Sequence, residues 1–298
     1  MARGATPDNP LHEGYAALRA AAARDLRGAA TGDRIREVAE LSLRYLRENC
    51  EQVRLVSRVM GKAYFSFRRR REGSVLSRPV NRDLWDQNHA QAAASWRGWA
   101  AGRQLQPRDL ARLIYTFVVG YCAASELFDR NNKKGPATYF ECVVGHLVAR
   151  ELGTNPTKRL RLDADGVQAR LTMDFLFDLG EARPKVHLPV KMSTRERVVQ
   201  AWAHQRILDA RYGPGYYRGI LIVFSETKLN LTNREVVEIC VPEQWLVYQA
   251  HLAAMYRIYY FDPPARYVHM ARTHPVLPLA DFSQFFAERG AALHGRAR

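Results

Sequence analysis

Cysteine is scarce in this chain of 298 residues: Cys50, Cys122, Cys142 and Cys240 stand apart, with no Cys-x-x-Cys pair. That spacing excludes a disulfide framework and is the pattern of reduced, mostly buried thiols in a cytoplasmic protein. The stretch from Met1 to Ala30 mixes Arg with acidic residues and has no apolar core followed by a small-residue cleavage site, so it does not read as a secretory signal. Long apolar runs are missing too. The best of them, such as Ile114 to Ala124, are short or broken, which argues against a membrane span. No G-x-G-x-x-G, Walker A or G-x-S-x-G run occurs, so no nucleotide cofactor is expected. Cys142 and His146 have the i, i+4 spacing of two zinc ligands, but no second pair accompanies them, and a buried Cys beside a partly exposed His is the expectation.

Acidic residues are also in deficit. Lys and Arg number 45 against 30 Asp and Glu, a formal net charge of +15. Such a field favours a polyanionic partner through attraction and counterion release, with nucleic acid the first candidate and an incidentally basic surface the other. With 47% hydrophobic and 25% charged residues, the chain has enough apolar side chains for a substantial core.

From about Tyr15 to Phe128 apolar residues recur three and four apart, as at Val38, Leu41 and Tyr45 within Arg34 to Val59, and a mostly helical N-terminal region over residues 1–130 is expected. Within it, Arg68-Arg69-Arg70-Arg71-Glu72-Gly73-Ser74 reads as a basic loop, either merely solvated or a phosphate-contacting arm that uses Arg69 and Arg70. Trp85, Trp96 and Trp99 are assigned to the core. The turn-rich Asn131 to Pro136 marks a boundary, and residues 131–298 are expected to form the second unit.

That unit opens with a helix over Ala137 to Leu152, followed by strands over Lys158 to Leu162, Gln168 to Asp178 and Lys185 to Met192. Ser193 with Glu196 forms a capping box for the next helix. Strands at Ile220 to Phe224 and Val236 to Val241 and a helix from Pro242 to Tyr256 complete the pattern. The order implies an α/β fold with a mixed central sheet flanked by helices.

Asp174 lies in the otherwise apolar Leu171 to Phe177, where a carboxylate is costly unless paired or metal-bound. A turn about Gly180 to Arg183 sets Asp174 opposite Pro189, with Lys191 on the same face one diagonal away. The pair is then either a cross-strand salt bridge or part of a catalytic centre. Glu141, in the preceding helix, is placed to bring its carboxylate over the hairpin. Two acids and a Lys are the minimum for metal-assisted hydrolysis of a phosphodiester.

The order of Lys133-Lys134-Gly135 and, five residues on, Glu141 on a helix, Asp174 in the second strand and Val190-Lys191 in the third resembles the active-site order of the PD-(D/E)XK nucleases. Pro189 to Arg197 is similar to a stretch of several Type II restriction endonucleases, and the resemblance covers Lys133 to Val241. The chain departs from the pattern at Pro189, which stands where an acid two residues before the Lys is expected. The resemblance implies that Glu141 replaces that acid and binds Mg²⁺ with Asp174, the Val190 carbonyl being a third candidate ligand. Lys191 then positions the attacking water and offsets developing charge, leaving a 5′-phosphate and a 3′-hydroxyl. It implies a homodimer on double-stranded DNA, with Arg195, Arg197, Gln200 and His204 as candidate phosphate or DNA contacts. Arg266 and Arg272, in the aromatic and basic C-terminal stretch, are further candidates. The expected activity is Type II restriction. A structure-specific or repair nuclease of the same fold and a non-catalytic DNA-binding regulator are the alternatives.

Overall fold

The computed structural model describes residues 10–71, 75–129, 134–164, 166–181, 183–194, 198–274 and 276–288. Two helices open it, α1 (Pro10–Arg24) and α2 (Ala29–Asn49), and four strands follow: β1 (Cys50–Arg54), β2 (Val56–Ser57), β3 (Tyr64–Arg69) and β4 (Val80–Asn81). Helices α3 (His89–Ala100), α4 (Pro107–Phe128) and α5 (Gly135–Leu152) come next. Then come β5 (Thr157–Ala164), β6 (Val167–Phe177), β7 (Lys185–Leu188), β8 (Val190–Lys191), α6 (Val198–Tyr212) and β9 (Tyr217–Ser225). The chain continues through β10 (Thr227–Asn230), β11 (Glu235–Glu238), α7 (Pro242–His251), β12 (Arg257–Asp262), α8 (Ala265–Thr273), β13 (Leu279–Asp281) and α9 (Phe282–Ala287).

The main sheet runs β13-β12-β9-β7-β6-β5, with β8 also paired to β9. It is mixed: β5–β6 and β6–β7 are antiparallel, whereas β7, β8 and β12 run parallel to β9. Helices cover both faces, so the expected α/β class with a mixed sheet is the one found. On one face, Phe175, Leu188, Val190, Ile222 and Phe224 meet side chains of α4 and α5 in the largest cluster. On the other, Trp202 of α6 and Trp245 of α7 pack over Leu221, Val223 and Tyr260. Helix α4 is long and apolar enough to cross a membrane, contrary to the reading of short runs, but it is buried in this core, where all of its faces meet protein.

The N-terminal region corrects the sequence reading. The helix expected to reach Val59 ends at Asn49, and β1, β3 and β4 form an antiparallel sheet. Tyr64, Phe65, Ser66 and Phe67 are all buried, and strand pairing prevails there over helical spacing. Arg68 and Arg69 belong to β3 rather than to a loop. The proposed boundary at residues 131–133 lies outside the described residues; α4 and α5 on either side of it share one cluster. Strand β2 pairs with β11 in a small sheet with β10, so the strand expected at Val236 to Val241 sits outside the main sheet. Helix α6 begins at Val198, five positions after the predicted cap, and Glu196 lies outside the described residues. The predicted capping box at Ser193 and Glu196 thus falls on a stretch, residues 195–197, outside the described residues. Helix α7 ends at His251, before the expected Tyr256.

Candidate active site

Strand β6 is irregular where its function would be carried. Thr157 pairs with Leu176 and Arg159 with Thr172, so β6 spends four residues where β5 spends two, and Asp174 falls inside that bulge. Bulges re-aim side chains and commonly lie beside active sites. Between β6 and β7, Phe175 pairs with Leu188, a register that continues to Asp174 opposite Pro189 as the sequence implied. Proline has no N–H to donate, and the β6–β7 ladder stops there.

The next amide, that of Val190, donates instead to Oδ2 of Asp174 at 2.8 Å. Lys191 Nζ donates to the same oxygen at 2.7 Å, both side chains being partly shielded from solvent. Asp174 Oδ1 accepts no hydrogen bond among the described residues. Glu141 approaches from α5. Burial raises its pKa above the usual carboxylate range, the Asp174 charge raises it further, and Lys158 and Lys191 oppose the shift. The approach of α5 depends on Gly145, one turn after Glu141: a Cβ there would lie 2.6 Å from Cζ of Phe175.

On the opposite side α6 contributes His204. Burial lowers its pKa, and the charges of Asp174 and Lys191 act on it in opposite directions. Gln200, predicted with it, is exposed in the first turn of α6. Sequence reasoning missed His187, which is buried on β7 with Nδ1 3.0 Å from Oε1 of Gln205 and its ring centroid 6.2 Å from that of His204. Burial lowers its pKa to about 4, so it is neutral at physiological pH. The detectable signal was a His at an inward position of an apolar strand. Glu226 was missed as well. Its Oε1 accepts from the Thr194 amide at 2.9 Å, the Thr194 hydroxyl and Tyr260 Oη at 3.1 Å, and it fixes the chain just after Lys191.

Other candidates are engaged elsewhere. Arg69 Nε donates to Tyr45 Oη at 2.9 Å, and Arg70 binds the carbonyls of Cys50 and Arg47 near the end of α2. Arg266 pairs with Glu243 at 3.3 Å, and Arg272 is exposed late in α8. Arg195 and Arg197 lie outside the described residues. The stretch read as a mixed aromatic and basic surface begins inside strand β12, with Tyr259, Tyr260 and Phe261 buried, and continues as α8. His146, expected to be partly exposed, is fully buried, its Nδ1 2.7 Å from the Leu26 carbonyl.

No family model matches the sequence, and no curated protein matches it significantly. Solved structures do. The crystal structure of the Type IIP restriction endonuclease Kpn2I superposes with a TM-score of 0.78 at 22% identity, over 96% of this chain and 99% of that one. The chain has a restriction-endonuclease fold. A PspGI–substrate DNA complex is a looser match, with a TM-score of 0.46 and 13% identity over 68% of this chain and 90% of that one. Within this fold the bulge of β6, the break at Pro189 and the first turns of α5 bring Asp174, Lys191 and Glu141 together.

Whether these residues suit a divalent cation is testable on their donors. Among the described residues no three His, Cys, Asp or Glu side chains converge. Two carboxylates do approach each other, the Asp174 charge raising the cost of ionising Glu141, and Asp174 keeps an oxygen without a donor among the described residues. Mg²⁺ is commonly held by one or two carboxylates and keeps several waters, so the set fits.

Proposed function

We propose that this chain is a Mg²⁺-dependent, sequence-specific endonuclease of double-stranded DNA, a Type II restriction enzyme acting as a homodimer in the cytoplasm. The observation that carries the reading is the convergence of a bulged Asp174, Lys191 and the half-buried Glu141 in a restriction-endonuclease fold. The net charge of +15 supports a polyanionic substrate, and a two-fold protein matches a palindromic duplex.

Glu141, Asp174 Oδ1 and the Val190 carbonyl would hold the ion, which supplies activation of water and neutralisation of phosphoryl oxygens. The protein's own groups do the rest. The Val190 amide and Lys191 Nζ fix Asp174 through Oδ2, so its other oxygen is aimed before substrate arrives. Lys191 carries positive charge to where negative charge builds on the phosphate and orients the attacking water. The water oxygen bonds to phosphorus as the bond to the 3′ oxygen breaks, giving a 5′-phosphate and a 3′-hydroxyl. His204, on the facing helix and within reach of the Asp174 and Lys191 charges, would donate to a phosphate oxygen, with His187 and Gln205 supporting that side.

Incubating the protein with phage-length duplex in Mg²⁺ or EDTA, alongside Lys191→Ala, tests the reading on one gel. Discrete fragments with wild type and Mg²⁺ alone are expected. DNA that is shifted but uncut would instead assign the chain to non-catalytic DNA binding.

A further inference from the structure

The outer part of β6 has only one neighbour. Strand β7 pairs with Phe175 to Phe177, whereas Val167 to Thr172 pair with β5 alone. A two-stranded ribbon therefore runs outward from Asp174 for about 20 Å at the rise of an extended strand. Its two faces differ. Leu160 pairs with Leu171 and Leu162 with Ala169, and Leu160 and Leu171 pack on Met173, Leu176, Leu208 and Tyr217. The ribbon is thus seated by its apolar face.

The opposite face carries Arg159, Arg161 and Arg170, all exposed. Arg161 and Arg170 are direct cross-strand partners. Like charges placed so are destabilising, since their β-carbons stand only about 5 Å apart. None of the three arginines has an acidic partner among the described residues. Charges on an edge strand such as β5 do guard against unwanted pairing, but one strand's charges suffice for that, and the opposed pair costs stability for no such gain. At the foot of the ribbon Lys158 Nζ lies 4.5 Å from the Phe175 ring centroid, and its charge reaches Glu141. The row of cations therefore begins at the candidate active site.

We infer that the β5–β6 ribbon is an arm that holds the DNA backbone, with Arg159, Arg161 and Arg170 binding phosphates of the strand that enters the site. The inference rests on the reading that the substrate is duplex DNA. Polyanion binding turns the Arg161–Arg170 repulsion into a gain, because phosphates between the guanidinium groups screen them from each other. The contacts are to phosphate and so are indifferent to sequence.

The test is binding of a labelled duplex oligonucleotide by anisotropy across a salt series, with Ca²⁺ in place of Mg²⁺. The wild type is compared with Arg159→Gln/Arg161→Gln/Arg170→Gln and with the triple Arg-to-Lys variant. The Gln variant is expected to lose about tenfold or more in affinity, and the slope of log affinity against log salt should shrink by about 2.7, at ~0.9 per phosphate. The Lys variant should keep the slope. The melting temperature of the Gln variant should stay level or rise, which separates lost contacts from lost folding. Affinity and slope equal to wild type would overturn the arm, as would a wild type that binds no duplex. Mg²⁺-dependent cutting by the wild type is scored in parallel. Loss of binding by the variant of a wild type that does not cut would leave the arm standing and remove the nuclease, and unchanged binding by a variant of a cutting enzyme would do the reverse.

Discussion

Among the described residues two Asp–Lys pairs have both members shielded from solvent, unlike the exposed Asp178–Lys185 pair, and the two are used differently. Asp262, at the end of β12, is 2% exposed; Lys62 Nζ lies 2.5 Å from Oδ1, Asn81 Nδ2 donates to the same oxygen at 2.9 Å, and Tyr64 Oη donates to Oδ2 at 3.0 Å. Both oxygens are taken, and Lys62 also donates to the Pro263 carbonyl. Asp174 has comparable Lys geometry but is 21% exposed, keeps one oxygen without a donor among the described residues and faces a second carboxylate. The closed pair ties the N-terminal strands to the sheet. The open pair has a valence left for substrate or cation, and an ion pair becomes a candidate active site by what it leaves unsatisfied.

The largest expected effect is on the open pair. Asp174→Ala should lower the rate of cleavage by about a thousandfold or more while duplex binding in Ca²⁺ persists, measured by gel and anisotropy. Asp262→Ala should reverse the pattern. Removing one member of a buried pair leaves Lys62 uncompensated and two donors unpartnered, at a cost of about 3–5 kcal/mol in chemical denaturation. If Asp262→Ala folds normally and Asp174→Ala does not, the contrast between the pairs fails.

Glu226 sharpens the comparison from a third side. Its carboxyl is buried, Oε2 has no partner among the described residues, and burial pushes its pKa up to about 7. The folded state then binds the proton more tightly than the unfolded one. Stability is fullest below the unfolded value near 4.5 and falls as pH rises towards 7, by roughly 3 kcal/mol for this group. Glu226→Gln should flatten that fall in melting temperature against pH. Cleavage should show the opposite sign in acid: Glu141 must be ionised to hold a cation, and its raised pKa predicts activity lost at a higher pH than an ordinary carboxylate would give. The pH–rate profile of the wild type checks it. The smallest effect belongs to Arg266→Ala, which breaks an exposed pair with Glu243 and should change stability by about 1 kcal/mol or less in the same denaturation assay.

Much of the site was legible because it obeys local rules. The apolar setting of Asp174 and strand parity placed Lys191 beside it, and the hairpin register at Pro189 follows from turn position alone. What parity could not supply was the bulge, which depends on the pairing of β5 with β6, or the role of the Val190 amide, which is released only because the ladder ends at a proline. The N-terminal strands were hidden for a related reason. Cys50 to Arg69 becomes sheet through pairing between β1 and β3 and burial of Phe65 and Phe67 against Trp85, contacts between residues distant in sequence. Strand β12 was masked by its aromatic residues and flanking prolines, which suit a surface loop as well as a buried parallel strand. Asp262 and Glu226 carried no motif, and their meaning lies in partners from other elements.

The most direct test of the central claim is a crystal of the protein soaked in Mn²⁺, read by anomalous scattering. A peak within ligand distance of both Glu141 and Asp174, lost in Asp174→Ala, is the predicted result. A well-ordered site with no peak there, and Asp174 held by Lys191 alone, would contradict it and make this pair as closed as the one at Asp262.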